Sequence, residues 1–313
     1  MKRIIAVFPG QGSQSVGMGK ELLSEFPQSK LIFEEAEDEI HLPIRKLCLE
    51  SSADDLALTE NQQPCILALS LAMWSVLRKE SDVAATFFAG HSLGEYSALA
   101  ASGKLGLAKA VSLVRERGKA MQEAVPVGIG AMAAVIGYNA DSLIHSCKEI
   151  AAKLKCCIEV VNFNSPVQQI ISGDRKGVME VCSYLEKERV RTVLLPVSAP
   201  FHSSLMAPAR KHMQPLLEKL TFADAKENII ANVSGNLEKE YMPQHLIDQI
   251  DHPVLWTRTM ATAQASGSEV YLEVGPGKVL SGLAKRCLPK GSRIIPTDTK
   301  VSDAIRLLNE ASH

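Results

Sequence analysis

Apolar residues are spaced in two ways along the chain. Short runs rich in β-branched and aromatic residues, bounded by glycine or proline, read as buried strands at residues 4–8, 83–89 and 270–274. Longer stretches repeat apolar residues every three or four positions. Residues 63–77 carry Ile66, Leu69, Met73 and Leu77 in this way. Residues 107–121 place Leu107, Ala110, Val111, Val114 and Met121 on one helical face. Alternation of buried strands with such helices predicts an α/β sheet.

The middle of the chain follows a different order. It reads as strand 130–136, helix 141–154, strands 156–162 and 168–172, helix 175–188 and strand 191–197. This βαββαβ order is that of a ferredoxin-like unit. Pro126 with Gly128 and Pro196 with Pro200 bracket it. Residues 127–197 are therefore expected to form an inserted small subdomain. Residues 1–126 and 198–313 are expected to form the main catalytic unit. No repeat or low-complexity tract interrupts either.

Composition narrows the function classes. The 313 residues hold 34 Lys+Arg against 35 Asp+Glu, a balance unlike the basic excess of a general nucleic-acid binder. At this length about three quarters of the chain's surface is expected to be buried, so no staples are needed. The seven cysteines have neither CxxC spacing nor an even count, and read as reduced thiols of a cytoplasmic protein. The apolar run after Met1-Lys2-Arg3 is too short for a signal peptide and meets Pro9-Gly10 at once. No run of 18 apolar residues occurs, so no membrane partner is expected. A monomer is expected.

Gly90-His91-Ser92-Leu93-Gly94 fits G-x-S-x-G, preceded by a strand pattern and followed by a helix-forming run. The sharp strand-to-helix turn needs small flanking residues, because its serine projects from a strained backbone. The helix N-terminus behind it offers N–H groups to a developing oxyanion. A serine so placed needs a base. His91 is its neighbour, but adjacent side chains on such a turn point apart. His202 is the strongest candidate of the eight histidines, because it ends an apolar run beside Pro196 and Pro200. The alternative is that His202 caps the start of the next helix, ahead of Ser203 and Ser204. His41, His145, His212, His245 and His252 read as surface. Gly10-Gln11-Gly12 lacks the third glycine of a dinucleotide loop, since position 15 is Ser15, and Gly275-Pro276-Gly277-Lys278 lacks phosphate-loop spacing. No HExxH or paired CxxC occurs, so no metal is expected.

Four segments together resemble one family. They are Phe8-Pro9-Gly10-Gln11-Gly12-Ser13-Gln14, Gly90-His91-Ser92-Leu93-Gly94-Glu95-Tyr96, Phe201-His202-Ser203 with Met206 and Pro208, and Glu273-Val274-Gly275-Pro276-Gly277. In order and over the whole length, they resemble malonyl-CoA:acyl carrier protein transacylase. The resemblance implies an α/β-hydrolase-like core with an inserted ferredoxin-like small subdomain. It implies Ser92 as the acylated nucleophile and His202 as its base. The backbone N–H groups of Leu93 and Gln11 would form the oxyanion hole, and Arg117 would bind the malonyl carboxylate. Gln249 would orient His202 through its carbonyl, and Asn162 would line the site from the small subdomain. His91 and Phe201 would support it. Arg117 falls at the margin of the apolar stripe of residues 107–121, where a cleft could admit its guanidinium. A planar fork suits a carboxylate bidentately; without the resemblance, a snorkelling arginine is the plainer reading.

Two positions depart from the family pattern. Val167 stands where a glycine is common, and a valine does not readily take φ > 0. Phe201 stands where bacterial members often carry a small residue, which resembles the malonyl-selecting domains of polyketide synthases. The implied reaction is ping-pong, with malonyl-CoA and phosphopantetheinylated acyl carrier protein as substrates and no cofactor. His202 is expected to titrate near neutrality. An esterase or thioesterase, an idle scaffold that recruits acyl carrier protein, and a stand-alone acyltransferase of a polyketide synthase remain alternatives. Lys285 and Arg286 are candidates for a basic rim facing an acidic carrier.

Overall fold

Ten strands build two sheets in this computed structural model, which describes residues 2–81, 83–197, 199–225, 228–298 and 300–312. Met1 and the expected domain boundary at Ser198 lie outside the described residues. The strands are β1 (Ile4–Phe8), β2 (Ala85–Gly90), β3 (Gly130–Ile136), β4 (Ile158–Ser165), β5 (Gln168–Asp174), β6 (Arg191–Leu194), β7 (Asn228–Ile230), β8 (Leu237–Glu238), β9 (Val270–Glu273) and β10 (Arg293–Pro296). The first sheet has the order β10-β9-β1-β2-β7-β8. Its pairs are parallel except β7 with β8. The second has the order β4-β5-β3-β6 and is antiparallel throughout. The fold is thus mixed α/β.

Register brings the chemistry-bearing loops to one edge of the parallel sheet. Phe8 pairs with Gly90, and Val7 with Glu273. The segments after β1, β2 and β9 therefore leave side by side at the carboxyl ends of the strands, where open α/β sheets hold their ligands. β1 is buried at every position, as a near-continuous apolar run in a central parallel strand should be.

The helix Thr59–Glu80 is longer than the expected 63–77, and its buried face wraps most of its circumference. Pro64 lies inside it. A proline cannot donate to the carbonyl four residues back; that carbonyl, on Glu60, instead accepts from Arg115 Nη1 at 2.7 Å. The helix Leu107–Glu123 crosses close by. A Cβ on Gly118 would lie 2.7 Å from the Glu60 Cα, so only glycine allows this approach.

The expected strand–helix–strand–strand–helix–strand order holds in the second sheet, with helices Ala140–Leu154 and Arg175–Lys187. Residues of β3 alternate between two cores. Ala131, Ala133 and Val135 pack with Leu143, Val178 and Leu185 from those helices. Met132 and Ala134 face the main core. β4 begins and ends later than expected, and β6 is shorter, ending at Leu194 before Pro196. Sequence periodicity did not reveal β7, β8 or β10, which are two to four residues long. The two sheets are stitched by Val254, whose N–H donates to Val161 O at 2.8 Å and whose carbonyl accepts from Phe163 N at 3.0 Å. No helix among the described residues is long and apolar enough to cross a membrane.

Candidate active site

The turn that carries Ser92 is shaped by its glycines. A Cβ on Gly90 would sit 1.9 Å from the Gly94 carbonyl carbon, and one on Gly94 would sit 2.1 Å from Phe8 O. Ser92 has φ 53°, a left-handed conformation costing of order 1–3 kcal/mol. Three bonds hold it there. Ser92 N–H donates to Asn232 Oδ1 at 2.7 Å, while Ser92 O accepts from Gln249 Nε2 at 2.9 Å and from Glu95 N at 3.0 Å.

His202 comes from the loop after Pro200-Phe201 and also has positive φ, 62°. Its Nδ1–H donates to the Gln249 carbonyl at 2.8 Å, which leaves Nε2 as the acceptor facing Ser92 Oγ at 2.7 Å. Burial, and then the charge of Arg117, pushes its pKa down to about 3. The expectation of titration near neutrality is corrected: the ring is desolvated and sits beside a cation. His202 is thus a neutral imidazole, held by a carbonyl and not by a carboxylate.

Arg117 is fully buried, not at the margin of a stripe. The neighbouring helix at Gly118 closes over a face that the periodicity leaves open. Its Nη1 donates to Gln63 Oε1 at 2.8 Å, and its Nη2 to Gln249 Oε1 at 2.9 Å and Ser92 Oγ at 3.0 Å. The Tyr96 ring lies under it at 5.7 Å. All three acceptors are neutral, and Arg117 Nε has no partner among the described residues. A buried guanidinium without a bonded carboxylate is costly, and this one rests against Ser92 Oγ.

No acceptor is paired with the N–H of Leu93 or of Gln11 among the described residues. Gln11 is tethered through its side chain, which donates to Thr59 Oγ1 at 3.0 Å and Gln62 Oε1 at 2.6 Å. The small sheet reaches this edge through β4. Asn164 Oδ1 lies 2.8 Å from His91 Nε2, and Asn162 Nδ2 lies 3.4 Å from it. Burial pushes His91 below its ordinary pKa, and Asn164 offsets part of this. Phe201 is buried beside His202. The structure thus gathers Ser92, His202, Arg117 and Gln249 into one bonded cluster, with His91 and Asn162 in a second. Val167 has no positive φ and is exposed in the turn between β4 and β5. His245, expected at the surface, is half-buried against Tyr241 at 4.8 Å between ring centres. Lys285 and Arg286 are exposed on the helix Val279–Cys287.

Three residues of the cluster escaped sequence reading. Asn232 follows the three-residue β7, too short a run to flag. Gln63 lies on a helix whose apolar pattern masks it. Glu95 sits inside the motif itself, where it reads as an ordinary first-turn acid, yet it is fully buried. No group of three or more His, Cys, Asp or Glu among the described residues is placed to hold a metal ion.

A serine raised on such a turn and faced by a neutral imidazole has the geometry to accept an acyl group and pass it on, which is the chemistry of an acyltransferase. Residues 5–305 match the acyl transferase domain, and the chain belongs to that family. It is 41% identical over 315 residues to the malonyl CoA-acyl carrier protein transacylase of Bacillus subtilis strain 168, covering 99% of this chain and 98% of the relative. It is 39% identical over 289 residues to the enzyme of that name from Salmonella typhimurium, covering 91% and 93%. Among solved structures it is similar to FabD from Acinetobacter baumannii, with a TM-score of 0.95, 38% identity and 99% of each chain covered. It is also similar to a malonyl-transacylase solved with its type II PKS acyl-carrier protein, with a TM-score of 0.92, 35% identity and 99% of each chain covered.

Proposed function

We propose that this chain transfers the malonyl group from malonyl-CoA to the phosphopantetheine thiol of acyl carrier protein, through a malonyl ester on Ser92, supplying fatty acid biosynthesis. The observation that carries the reading is the contact of Arg117 Nη2 with Ser92 Oγ at 3.0 Å. A cation touching the nucleophile calls for an acyl group with an anion close to its carbonyl. In malonyl the two carbonyl carbons are separated by one methylene, roughly 2.5 Å apart given C–C bonds of about 1.52 Å. The substrate carboxylate takes the guanidinium as a bidentate pair and relieves its unpaired burial. Nη2 leaves Ser92 Oγ and frees its lone pair for attack, while the hydroxyl proton stays on its bond to His202 Nε2.

Ser92 Oγ attacks the thioester carbonyl as its proton passes to His202 Nε2. The Leu93 and Gln11 N–H groups stabilise the oxyanion. The C–S bond breaks, His202 returns the proton to the coenzyme A sulfur, and malonyl remains on Ser92. The thiol of acyl carrier protein then gives its proton to His202 and attacks the ester; the bond from Ser92 Oγ to the acyl carbon breaks, His202 returns the proton to Oγ, and malonyl leaves as the carrier's thioester. The carbonyl of Gln249 holds the imidazole and stabilises the imidazolium at each stage. A carbonyl in place of a carboxylate disfavours a hydrolase, whose base must activate water.

We further read the molecule as an α/β-hydrolase-like core of residues 1–126 and 198–313 with a ferredoxin-like insertion at 127–197. The all-antiparallel order β4-β5-β3-β6 supports that reading. The protein acts in the cytoplasm as a monomer without a metal or cofactor. A stand-alone acyltransferase of polyketide synthesis is the second reading, favoured by Phe201 and by the relative solved with a polyketide carrier. Incubation with malonyl-CoA followed by peptide mapping tests the main reading: malonyl should appear on Ser92 and leave on adding holo acyl carrier protein. An adduct elsewhere, or loss to water at the same rate without carrier, contradicts it. Relative rates with fatty-acid and polyketide carriers separate the two pathways.

A further inference from the structure

We propose that Glu95, as a carboxylate, is the positioning residue that keeps the nucleophile, the base and Arg117 in mutual register. This rests on the transfer reading above, but Glu95 takes no part in its steps. Glu95 is fully buried on the helix Gly94–Ala101 and accepts three hydrogen bonds. Its Oε1 accepts from Asn232 N at 3.0 Å and from Tyr241 OH at 2.9 Å, and its Oε2 accepts from Gln249 Nε2. The far ends of two of these donors hold the reacting groups. Asn232 Oδ1 takes the Ser92 N–H, and Asn232 Nδ2 ties the Gly90 carbonyl. The Gln249 carbonyl fixes the His202 tautomer, and Gln249 Oε1 receives Arg117.

All three partners donate, and only the carboxylate accepts from all of them as they stand. A proton on Oε2 would turn the Gln249 amide, withdraw Oε1 from Arg117 and so loosen the clamp. A proton on Oε1 would reverse the bond to the Tyr241 hydroxyl, which can accept as well as donate. The group is poised for this: burial raises it to about 7, against the pull of its donors and of Arg117. The charged and titratable groups acting on it are Arg117 from the helix Leu107–Glu123, Tyr241 from the loop ahead of Pro243–Asp248, and Tyr96 on its own helix. No hydrogen bond joins Glu95 to Arg117 directly; the link runs through Gln249.

The test is the pH dependence of kcat/KM for loading Ser92 from malonyl-CoA, measured on the whole chain from about pH 5.5 to about 8.5, which reports groups of the free enzyme. The wild type should lose activity below about pH 7. The coenzyme A phosphate also titrates near about pH 6, so the variants decide. Tyr241→Phe removes one donor from the carboxylate and should move the acid limb up by about one pH unit. Glu95→Gln should abolish the limb and lie about 10–100-fold below the wild-type plateau, the loss of one or two bonds to a charged group. Glu95→Asp should keep the limb. A wild-type profile that is flat or rises towards acid, or a Tyr241→Phe limb that does not move, overturns the proposal, and the Tyr241→Phe arm does so even if Glu95→Gln fails to fold. A wild type that never loads Ser92 overturns the transfer reading and this inference with it; loading with an unmoved limb overturns this inference alone.

Discussion

The two sheets give the site different things. The parallel sheet contributes geometry that cannot slide: β1 and β2 end in register, two glycines stand within van der Waals distance of backbone, and Ser92 and His202 hold positive φ. The antiparallel sheet meets the site through two amides on β4 that reach His91, not the nucleophile. The bonded cluster of Ser92, His202, Arg117 and Gln249 thus gathers at the edge of the parallel sheet, while β4 of the antiparallel sheet supplies a wall. The difference also shows in electrostatics. The large unit buries an arginine, a glutamate and a histidine within one network, and desolvation moves His202 down to about 3 and Glu95 up to about 7. In the small sheet, the polar residues at the site are uncharged.

If this division holds, substitutions should fall into two ranks. Ser92→Ala should abolish transfer by roughly 10⁴-fold or more, because a methyl group cannot be acylated; retained single-turnover loading would break the assignment. His202→Ala should cost about 10²–10⁴-fold in kcat, the range of general acid–base catalysis. A variant keeping more than about a tenth of kcat would move the base elsewhere. His202 is neutral throughout ordinary assay pH, since its pKa is lowered; protonation would stop it accepting the serine proton, but only far below neutrality. On the other sheet, Asn162→Ala should lower kcat/KM by less than about tenfold, the worth of one neutral hydrogen bond. A loss as large as that of His202→Ala would erase the distinction. Val167→Gly should leave kinetics unchanged and lower stability by about 0.5–1 kcal/mol in denaturant unfolding, through the greater freedom of the unfolded chain.

The sequence disclosed what depends on local order. The strand-to-helix turn at Ser92 and the βαββαβ order were legible because glycines and periodicity are contiguous signals. The full burial of Arg117 was not, because it arises where Gly118 lets one helix approach Glu60 on another, a contact no single-helix pattern contains. His202 was legible as a base, but its depressed pKa was not: Arg117 reaches it from 85 positions earlier in the chain. Asn232 and Glu95 were missed for the same reason. Each looks like an ordinary loop or helix-start residue until folding joins them, with Asn232 N–H donating to Glu95 Oε1 at 3.0 Å.

The central claim is that a buried cation beside the nucleophile selects the acyl group. The direct measurement is kcat/KM for malonyl-CoA and acetyl-CoA, in the wild type and in Arg117→Ala. Removing one partner of a buried charge pair is worth about 3–5 kcal/mol, so the wild type should prefer malonyl by about 10²–10⁴-fold. Arg117→Ala should lose most malonyl transfer while gaining relative acetyl transfer, because the unpaired guanidinium that rejects a neutral acyl group is gone. A malonyl-to-acetyl ratio unchanged by the substitution would contradict the account.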